Sequence, residues 1–339
     1  MAEKFSKWRA TVQDPSTGVA PFLVPLPPND VSLPPLVQAV TLPVAAVLGG
    51  VRTLLVILLL GAQFVLVEGV LQLFSFVPPL HFALSRAVNA SIARLILIAL
   101  GVLWIPVETV QLRKSGRSPP AIPFDPRKGD LILSNSSSYI DLLYLSFRYN
   151  AIVLLPVSSS NKVVGYRRAS LLSAILAVGQ LPQQSGKAES LDEAIKKAVG
   201  PVVIFPEATT SNNRAMLKLA EIAPATAGKS SAVRTFVLTF RYPPPTRLAP
   251  SLTYPIPTPS PITGLLSHVY TLTSRLSPYT LTIRRLHPSE SPKLSSAPKK
   301  EEWDALAETL AGTARLKRVG GLGWVEKGAF LEFRRVKAR

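Results

Sequence analysis

The chain has 339 residues, enough for one large domain and an appendage, and its lack of cysteine excludes disulfides, cysteine metal sites and a thiol nucleophile. Its formal net charge of +18 suggests a polyanionic partner, either nucleic acid or an anionic membrane surface. The membrane is favoured and nucleic acid is not expected, because 47% of the residues are apolar and the basic residues are not gathered in blocks.

The N-terminal part of the chain carries charge and proline. The opening MAEKFSKWRATVQDPSTG has no apolar core of the kind that a cleaved signal peptide needs, so membrane targeting is expected to come from inside the chain. Residues 14–35 are rich in proline, which removes backbone donors and fixes φ. We predict that residues 1–35 form an extended N-terminal segment.

Long apolar runs fill residues 36–112. Val44–Phe76 is long enough for one membrane span, which needs about 20 apolar residues. Arg86–Val110 is a shorter second run, and Pro78 and Pro79 suit a turn between the two. The pattern predicts a membrane-embedded helical hairpin, as two spans or as a re-entrant pair. A buried helix pair in a soluble core is the alternative.

Residues 113–290 have the pattern of an α/β domain. The predicted strands are 131–134, 151–157, 201–206, 234–242 and 280–285. The predicted helices are 141–148, 167–178, 191–199, 264–276 and 299–315. Strands that alternate with helices predict an α/β fold with a layered sheet and flanking helices. Residues 286–298 are predicted to be a loop, and residues 291–339 a C-terminal helix and basic tail.

Polar side chains follow two of the predicted strands. The first stretch, NSSSYID, ends at Asp141, and the second, FPEATTSNNR, contains Glu207 and ends at Arg214. Because ligands collect at strand ends in open α/β sheets, we expect Asp141 and Glu207 to face one crevice. Structural alternatives remain open. Asp141 could cap the next helix, Glu207 could pair with Arg214, and the serines could simply form a turn.

These blocks resemble the signature of the glycerolipid acyltransferases. In that family a strand is followed by an NHxxxxD block, and a second strand some 65 residues later is followed by FPEGT. The stretch FVLTFRYP at 236–243 is similar to a further block of the family. The resemblance covers about residues 115–315 and the preceding hairpin. The N-terminal DPSTGVAPFLVP and C-terminal GLGWVEKGAFLEFRR resemble a fungal branch, the lysophosphatidic acid acyltransferases of the endoplasmic reticulum membrane and lipid droplets.

The resemblance implies a glycerolipid-acyltransferase-like fold and an acyl-CoA-dependent transfer to lysophosphatidic acid or another lysophospholipid. It implies no cofactor besides acyl-CoA as co-substrate, and no metal. On this basis we expect Asp141 and Ser136 to handle the acceptor proton, and other residues to position the glycerol phosphate. These substrate-binding residues are Glu207, Thr209, Arg214, Asn135 and Arg167. For Arg167 the alternative is a solvated helix face.

The sequence departs from the family pattern at three positions. Ser136 stands where the family has a histidine, which acts as general base and is oriented by the aspartate. Ala208 replaces a glycine, and Thr210 stands where many members carry a phosphate-binding arginine, a role that Arg214 could take. A serine hydroxyl cannot take a proton at neutral pH without a base of its own.

Three interpretations of the missing histidine remain. Asp141 could act as the base, directly or through Ser136 or a water. Alternatively, one of the chain's histidines could fold back into the site; these are His81, His268 and His287. Finally, the chain could be a catalytically silent lipid-binding or scaffold protein on the same fold.

Overall fold

The computed structural model describes residues 13–27, 35–113, 122–184, 186–223, 232–246, 249–258, 260–295 and 298–337. The α-helices among these residues are α1 (Pro35–Gln63), α2 (Pro78–Ala99), α3 (Tyr139–Tyr149), α4 (Leu171–Leu176), α5 (Leu191–Lys196), α6 (Pro261–Thr273), α7 (Lys300–Ala314) and α8 (Trp324–Lys337). Short π and 3₁₀ segments lie at Phe64–Gly69, Val70–Phe74 and Pro288–Glu290.

The strands divide into one large sheet and three short pairs. The large sheet contains β2 (Val107–Val110), β3 (Leu131–Ser134), β4 (Ile152–Ser159), β5 (Lys162–Ala169), β6 (Val202–Ile204), β9 (Thr235–Arg241) and β11 (Thr282–Leu286). The short pairs are formed by β1 (Val102–Trp104) with β10 (Tyr279–Thr280), β7 (Ala215–Met216) with β13 (Lys317–Arg318), and β8 (Ala232–Val233) with β12 (Leu294–Ser295).

The large sheet has the order β2-β11-β9-β3-β6-β4-β5. The four central strands β9, β3, β6 and β4 run parallel to one another. Strand β11 is antiparallel to β9, and strand β5 is antiparallel to β4. Strand β3 lies between β6 and β9, so the carboxyl ends of all three meet at one edge of the sheet. The loops that carry the two polar stretches begin at this edge.

Both faces of the sheet are buried, which explains why its central strands are continuously apolar. Ile132 on one face packs with residues of α2, α3, α4 and α6. Leu131 and Leu133 on the other face pack with residues of α5 and α7, and with Trp324 at the start of α8. The α/β fold with a layered sheet and flanking helices is therefore confirmed, while its likeness to a solved acyltransferase stays a prediction.

The predicted helix over 167–178 is confirmed only in its central part, Leu171–Leu176. Arg167 lies in β5, where it pairs with Leu155 of β4, and the helix begins only at Leu171. The reversal between β4 and β5 uses Ser160 and Asn161, both with positive φ. Asparagine tolerates this conformation better than most residues, so a tight hairpin forms, and its second strand includes the first residues of the predicted helix.

The second apolar run also differs from its prediction over Arg86–Val110. Its helix spans Pro78–Ala99, and Val107–Val110 forms the edge strand β2 of the large sheet. Pro78 and Pro79 begin the helix rather than forming the turn, since proline is tolerated in the first helical turn, where amides lack partners anyway. The predicted loop over 286–298 contains the 3₁₀ turn Pro288–Glu290 and strand β12.

Two helical segments are long and apolar enough to cross a membrane, Thr41–Phe74 and Pro78–Ala99. They differ in their surroundings. Helix α2 packs against α3 of the α/β domain, and its buried residues include Asn89, Ile96 and Leu97. The first segment is largely exposed, with only 22% of its most apolar stretch buried. Length and composition thus suggest membrane association weakly, and the first segment is its main candidate.

Helix α1 is attached to α6 by small and polar residues. Thr53 and Thr273 share a hydrogen bond of 2.8 Å between their hydroxyls, and Arg52 donates to the Arg275 carbonyl at 3.2 Å. Gly49 permits this approach, because a Cβ there would lie 2.2 Å from the Ser274 hydroxyl. The absence of a side chain at Gly49 therefore fixes the distance between the two helices.

Gly49→Leu is expected to separate α1 from α6 and to lower the Tm by several degrees, because the new side chain collides with Ser274. Gly50→Leu is the matched control, since a Cβ at that position meets no atom within 4 Å. Both changes improve helix propensity equally. Thermal unfolding in detergent compares the two, and equal Tm values would contradict the packing described.

Candidate active site

The first polar loop leaves β3 and enters α3 at the central sheet edge. Ser138 is the N-cap of α3, and its hydroxyl accepts from the Ile140 amide at 3.3 Å. The Asp141 carboxylate reaches back and accepts from the amides of Ser137 at 2.8 Å and Ser138 at 3.0 Å. The capping interpretation of Asp141 is therefore confirmed, and the carboxylate also fixes the loop before the helix.

Asp141 is fully buried, at 0% exposure. Its second oxygen accepts a hydrogen bond from the hydroxyl of Tyr242, which follows β9. Burial raises the pKa of the Asp141 carboxyl to about 7, and the hydrogen bonds from Tyr242 and the loop amides oppose the rise. Asp141 thus holds the loop in place and is shielded from any substrate in this conformation.

Glu207 joins the second polar loop to the first. Its side chain is 1% exposed and accepts from the Ser136 amide at 3.1 Å and from the Leu217 amide at 2.8 Å. Burial raises the pKa of the Glu207 carboxyl to about 7, with a smaller contribution from the nearby Asp141. Asp141 and Glu207 thus lie near each other at one sheet edge, but both are buried instead of facing a crevice, and Glu207 is bonded to the first loop rather than to Arg214.

Ala208 adopts φ +54°, in the left-handed region that favours glycine. The backbone turns there because the Ala208 amide donates to the Phe205 carbonyl at 2.9 Å. The positive φ explains why glycine suits the position. The hydrogen bond occupies the Ala208 amide, so this group is not a free donor for an oxyanion.

The end of β9 completes the site from the other side. Asn135 forms two hydrogen bonds with the Phe240 backbone, at 3.0 Å to its carbonyl and 2.8 Å from its amide. Asn213 similarly bonds the Phe240 carbonyl and the Tyr242 amide. Asn135 is therefore engaged in holding two strand ends together, and its amide is not directed to solvent.

A lysine that the sequence did not single out lies beneath the second loop. Lys327 of α8 is 0% exposed and donates to the Thr209 hydroxyl at 2.8 Å, the Thr210 carbonyl at 2.8 Å and the Thr210 hydroxyl at 3.2 Å. Burial lowers its pKa to about 7, although Glu207 nearby favours the charged form. Thr209 is thereby an anchor of the loop, since its hydroxyl also donates to Gln180.

Ser136 is the residue of the first loop that remains accessible. It is partly exposed, its amide binds Glu207, and its carbonyl accepts from Ser211 at 3.0 Å. No hydrogen bond to its hydroxyl is found among the described residues. The polar group that a substrate could reach in NSSSYID is thus the Ser136 side chain.

One histidine does approach the first loop, but it cannot replace the missing base. His268 lies 3.0 Å from the Tyr139 hydroxyl through Nδ1 and 3.0 Å from the Ser251 carbonyl through Nε2. The carbonyl can only accept, which assigns the ring proton to Nε2. Both ring nitrogens are therefore occupied. Burial lowers the His268 pKa to about 4, so the ring is neutral at pH 7.

The remaining predicted residues lie around the two loops. Arg167 of β5 and Ala208 line one cavity of about 430 Å³. Arg214 is exposed and lies near Arg241, whose pKa is lowered by burial and then by the charge of Arg214. Nη1 of Arg241 is buried without a hydrogen-bond partner among the described residues. Those residues contain no acidic or histidine cluster that could hold a metal ion.

A protein of Schizosaccharomyces pombe, provisionally named lysophosphatidic acid:oleoyl-CoA acyltransferase, is 28% identical to this chain over 257 residues. The match covers 75% of this chain and 76% of that protein. The chain is thus similar to a protein that is named as an acyltransferase. The family resemblance is confirmed by this match, and the match supports an acyltransferase activity in general. No protein-family model matches the chain, and no solved structure matches it significantly.

The geometry of the site adds three residues to those that the sequence suggested. Tyr242 binds Asp141, Lys327 binds the second loop, and Arg241 lies beside Arg214. Tyr242 and Arg241 are part of the FRYP block, so a reading of that block as a site element would have found them. Lys327 carried no such signal, because an isolated lysine in a charged helix is usually exposed.

Lys327→Met tests the buried lysine through the pH dependence of stability. The folded state releases the Lys327 proton near pH 7, whereas the unfolded chain holds it to about pH 10.4, so the unfolded state binds more protons between these values. We therefore expect wild-type stability to rise relative to Lys327→Met from pH 7 to 9.5, by at most about 1.4 kcal/mol per pH unit.

Thermal unfolding in detergent at several pH values measures this difference. Lys293→Met, at an exposed lysine, is the control and should follow the wild type across the range. Parallel curves for Lys327→Met and the wild type would mean that Lys327 titrates as an exposed lysine does.

Proposed function

We propose that this protein is a membrane-bound acyltransferase that moves a fatty acyl group from acyl-CoA to lysophosphatidic acid or another lysophospholipid. The observation that carries the proposal is the bond between the Ser136 amide and Glu207, which joins both loops of the acyltransferase signature at one sheet edge. The related yeast protein, named for lysophosphatidic acid and oleoyl-CoA, supports this substrate class.

An apolar cavity beside the first loop suits the acyl chain. It has a volume of about 330 Å³ and lies between α1, α3, α4 and α6, with Gly61, Tyr139 and Leu265 among its lining residues. Tyr139 belongs to NSSSYID, so the cavity lies beside the stretch that contains Ser136. Its wall on the α1 side is part of the largely exposed apolar helix, which gives a lipid chain a route from a bilayer.

The proposed chemistry avoids a charged base. The acceptor hydroxyl oxygen attacks the thioester carbonyl carbon, an ester C–O bond forms, and the C–S bond breaks. The Ser136 hydroxyl takes the acceptor proton only as it gives its own proton to the departing sulfur, which serves as the base that the serine needs. A hydroxyl that accepts and donates in one step stays neutral, so this route is open to a site without histidine. Asp141 and Glu207 act as positioning residues that hold Ser136.

The arginines around the loops are proposed to bind the phosphate groups of the two substrates. Arg214 and Arg241 lie close together, and the unpartnered Nη1 of Arg241 lacks a hydrogen-bond acceptor that a phosphate oxygen would supply. We assign the glycerol phosphate to this pair. Arg167, on the cavity that Ala208 also lines, is assigned to the phosphates of CoA. Thr209 and Asn135 contribute by shaping the site.

Membrane attachment is assigned to the first apolar segment. Exposed side chains along it include Leu54, Leu58 and Val65. Helix α2 is tied to α3 by packing, which favours a re-entrant or surface-lying pair over two separate spans. The endoplasmic reticulum membrane, with lipid droplets as a second location, is proposed from the family resemblance alone.

Transfer from oleoyl-CoA to lysophosphatidic acid by the purified protein tests the function. Ser136→Ala is expected to lower kcat at least tenfold with an unchanged Tm, because its hydroxyl has no partner among the described residues. Asp141→Asn is expected to lower both kcat and Tm, since its single acceptor oxygen cannot serve both the loop amides and the Tyr242 hydroxyl. Ser136→His, which restores the family's base beside Asp141, is expected to raise kcat.

Ser267→Ala, on the exposed face of α6, is the matched serine control and should leave transfer unchanged. If no variant transfers an acyl group to any of several lysolipids, the proposed activity fails. The chain would then be a catalytically silent lipid-binding or scaffold protein, the reading that Ser136 in place of histidine favours.

Gly61→Leu tests the acyl cavity independently. Gly61 lines the cavity and a Cβ there meets no atom within 4 Å, so a leucine fits without a clash and is expected to reduce the space for the chain. We expect transfer from oleoyl-CoA to fall several-fold while transfer from octanoyl-CoA is retained. Gly50→Leu on the same helix is the control. An equal loss of transfer with both acyl donors would mean that the acyl chain does not bind in this cavity.

A further inference from the structure

A third cavity lies at the opposite end of the central strands from the candidate active site. Its volume is about 600 Å³. Its lining includes Phe124–Lys128, which precedes β3, and Pro201, which precedes β6. Both sets stand at the amino ends of strands whose carboxyl ends carry the site. At roughly 3.3 Å per residue, the four residues of β3 separate the two regions by about 13 Å.

The walls of this cavity are strongly basic. Its lining contains Arg86 of α2, Arg127, Lys128, and Arg148 at the end of α3. The acidic residue in the lining, Asp125, is paired with Arg127 at 2.9 Å. No ion pair to Arg86, Lys128 or Arg148 is found in the described ranges. Such a cluster of cations repels itself, so the cavity favours an anion.

A buried hydroxyl in the lining points to the same ligand class. Tyr149 is 7% exposed, and its hydroxyl has no hydrogen-bond partner within the part of the chain that the structure describes. A buried hydroxyl without a partner costs stability, and a bound oxygen ligand removes that cost. Behind this wall the Arg285 guanidinium lies 5.2 Å from the Phe124 ring and 5.8 Å from the Tyr149 ring, which adds positive potential.

The cavity also adjoins the apolar surface of the hairpin. Pro78, Pro79 and Phe82 from the first turns of α2 form one wall. Phe76, directly before them, is 78% exposed. Gly200 holds this wall against the domain, because a Cβ there would lie 2.4 Å from the Phe82 ring. A ligand in the cavity would therefore have its anionic part among the cations and an apolar surface next to it.

We propose that this cavity is a second, non-catalytic binding site for a phosphate-bearing anion, supplied by the headgroup of an anionic phospholipid in the membrane on which α1 lies. Phosphate oxygens accept from Arg86, Lys128 and the Tyr149 hydroxyl. The acyl chains of the lipid remain outside, along the exposed apolar residues around Phe76. The site is independent of the transfer reaction, because it shares no residue with the loops that carry Ser136 and Glu207.

The test measures binding to the full chain in neutral detergent. The probes are short-chain phosphatidylserine, short-chain phosphatidylcholine and inorganic phosphate. The Arg86→Ala/Lys128→Ala double variant should lose at least tenfold in affinity for phosphatidylserine. Lys293→Ala/Lys317→Ala, which removes the same charge at exposed lysines elsewhere, should bind as the wild type does. Phosphatidylcholine should bind more weakly than phosphatidylserine to the wild type.

Tyr149→Phe separates a binding role from a structural one. It should weaken phosphatidylserine binding about threefold and leave the Tm equal or higher, because the lost hydroxyl has no partner in the described structure. Inorganic phosphate that binds as tightly as the lipid, with the same loss in the double variant, would support the phosphate site and assign it to a soluble anion. Unchanged affinity in the double variant would overturn the proposal.

Discussion

The Glu207 carboxylate is the contact on which the candidate active site depends. One oxygen takes the Ser136 amide and the other takes the Leu217 amide, so a single side chain sets the spacing of two loops that are 71 residues apart. Without it, two buried amides would lose their partners, at about 1–3 kcal/mol each. Asp141 likewise accepts from two amides within the first loop. The shape of the site therefore depends on the buried hydrogen bonds of these two carboxylates.

Most polar groups of the two signature loops serve this scaffold. Asn135 and Asn213 bind the end of β9, Tyr242 binds Asp141, and Lys327 from the last helix binds the second loop. A network this buried is stable only when its members are satisfied, which ties the C-terminal helix to the site. What remains for a substrate is small: the Ser136 hydroxyl and the exposed arginines. This division explains how the loop can hold its form with a serine at position 136.

Charge and apolar surface are distributed in a way that suits a lipid substrate. The exposed apolar helix α1 forms a wall of the apolar cavity beside Tyr139, while arginines lie around the loops. At the other sheet edge a basic cavity borders the start of α2. The net charge of +18 is thus gathered partly into two cationic regions, one at each end of the central strands. Both regions have apolar surface next to them, an arrangement that suits the membrane association proposed above.

The sequence by itself determined the central strands and the meeting of the two polar stretches. Continuous apolar runs such as 201–206 must be buried on both faces, and parallel strands bring their carboxyl ends to one edge. Tertiary structure decided the rest. Arg167 lies in a strand because β4 offers a hairpin partner, and residues 107–110 join the sheet because β11 has a free edge. Lys327 is in the site only because α8 packs under the second loop. No local pattern encodes that burial, since the partners are more than 100 residues away.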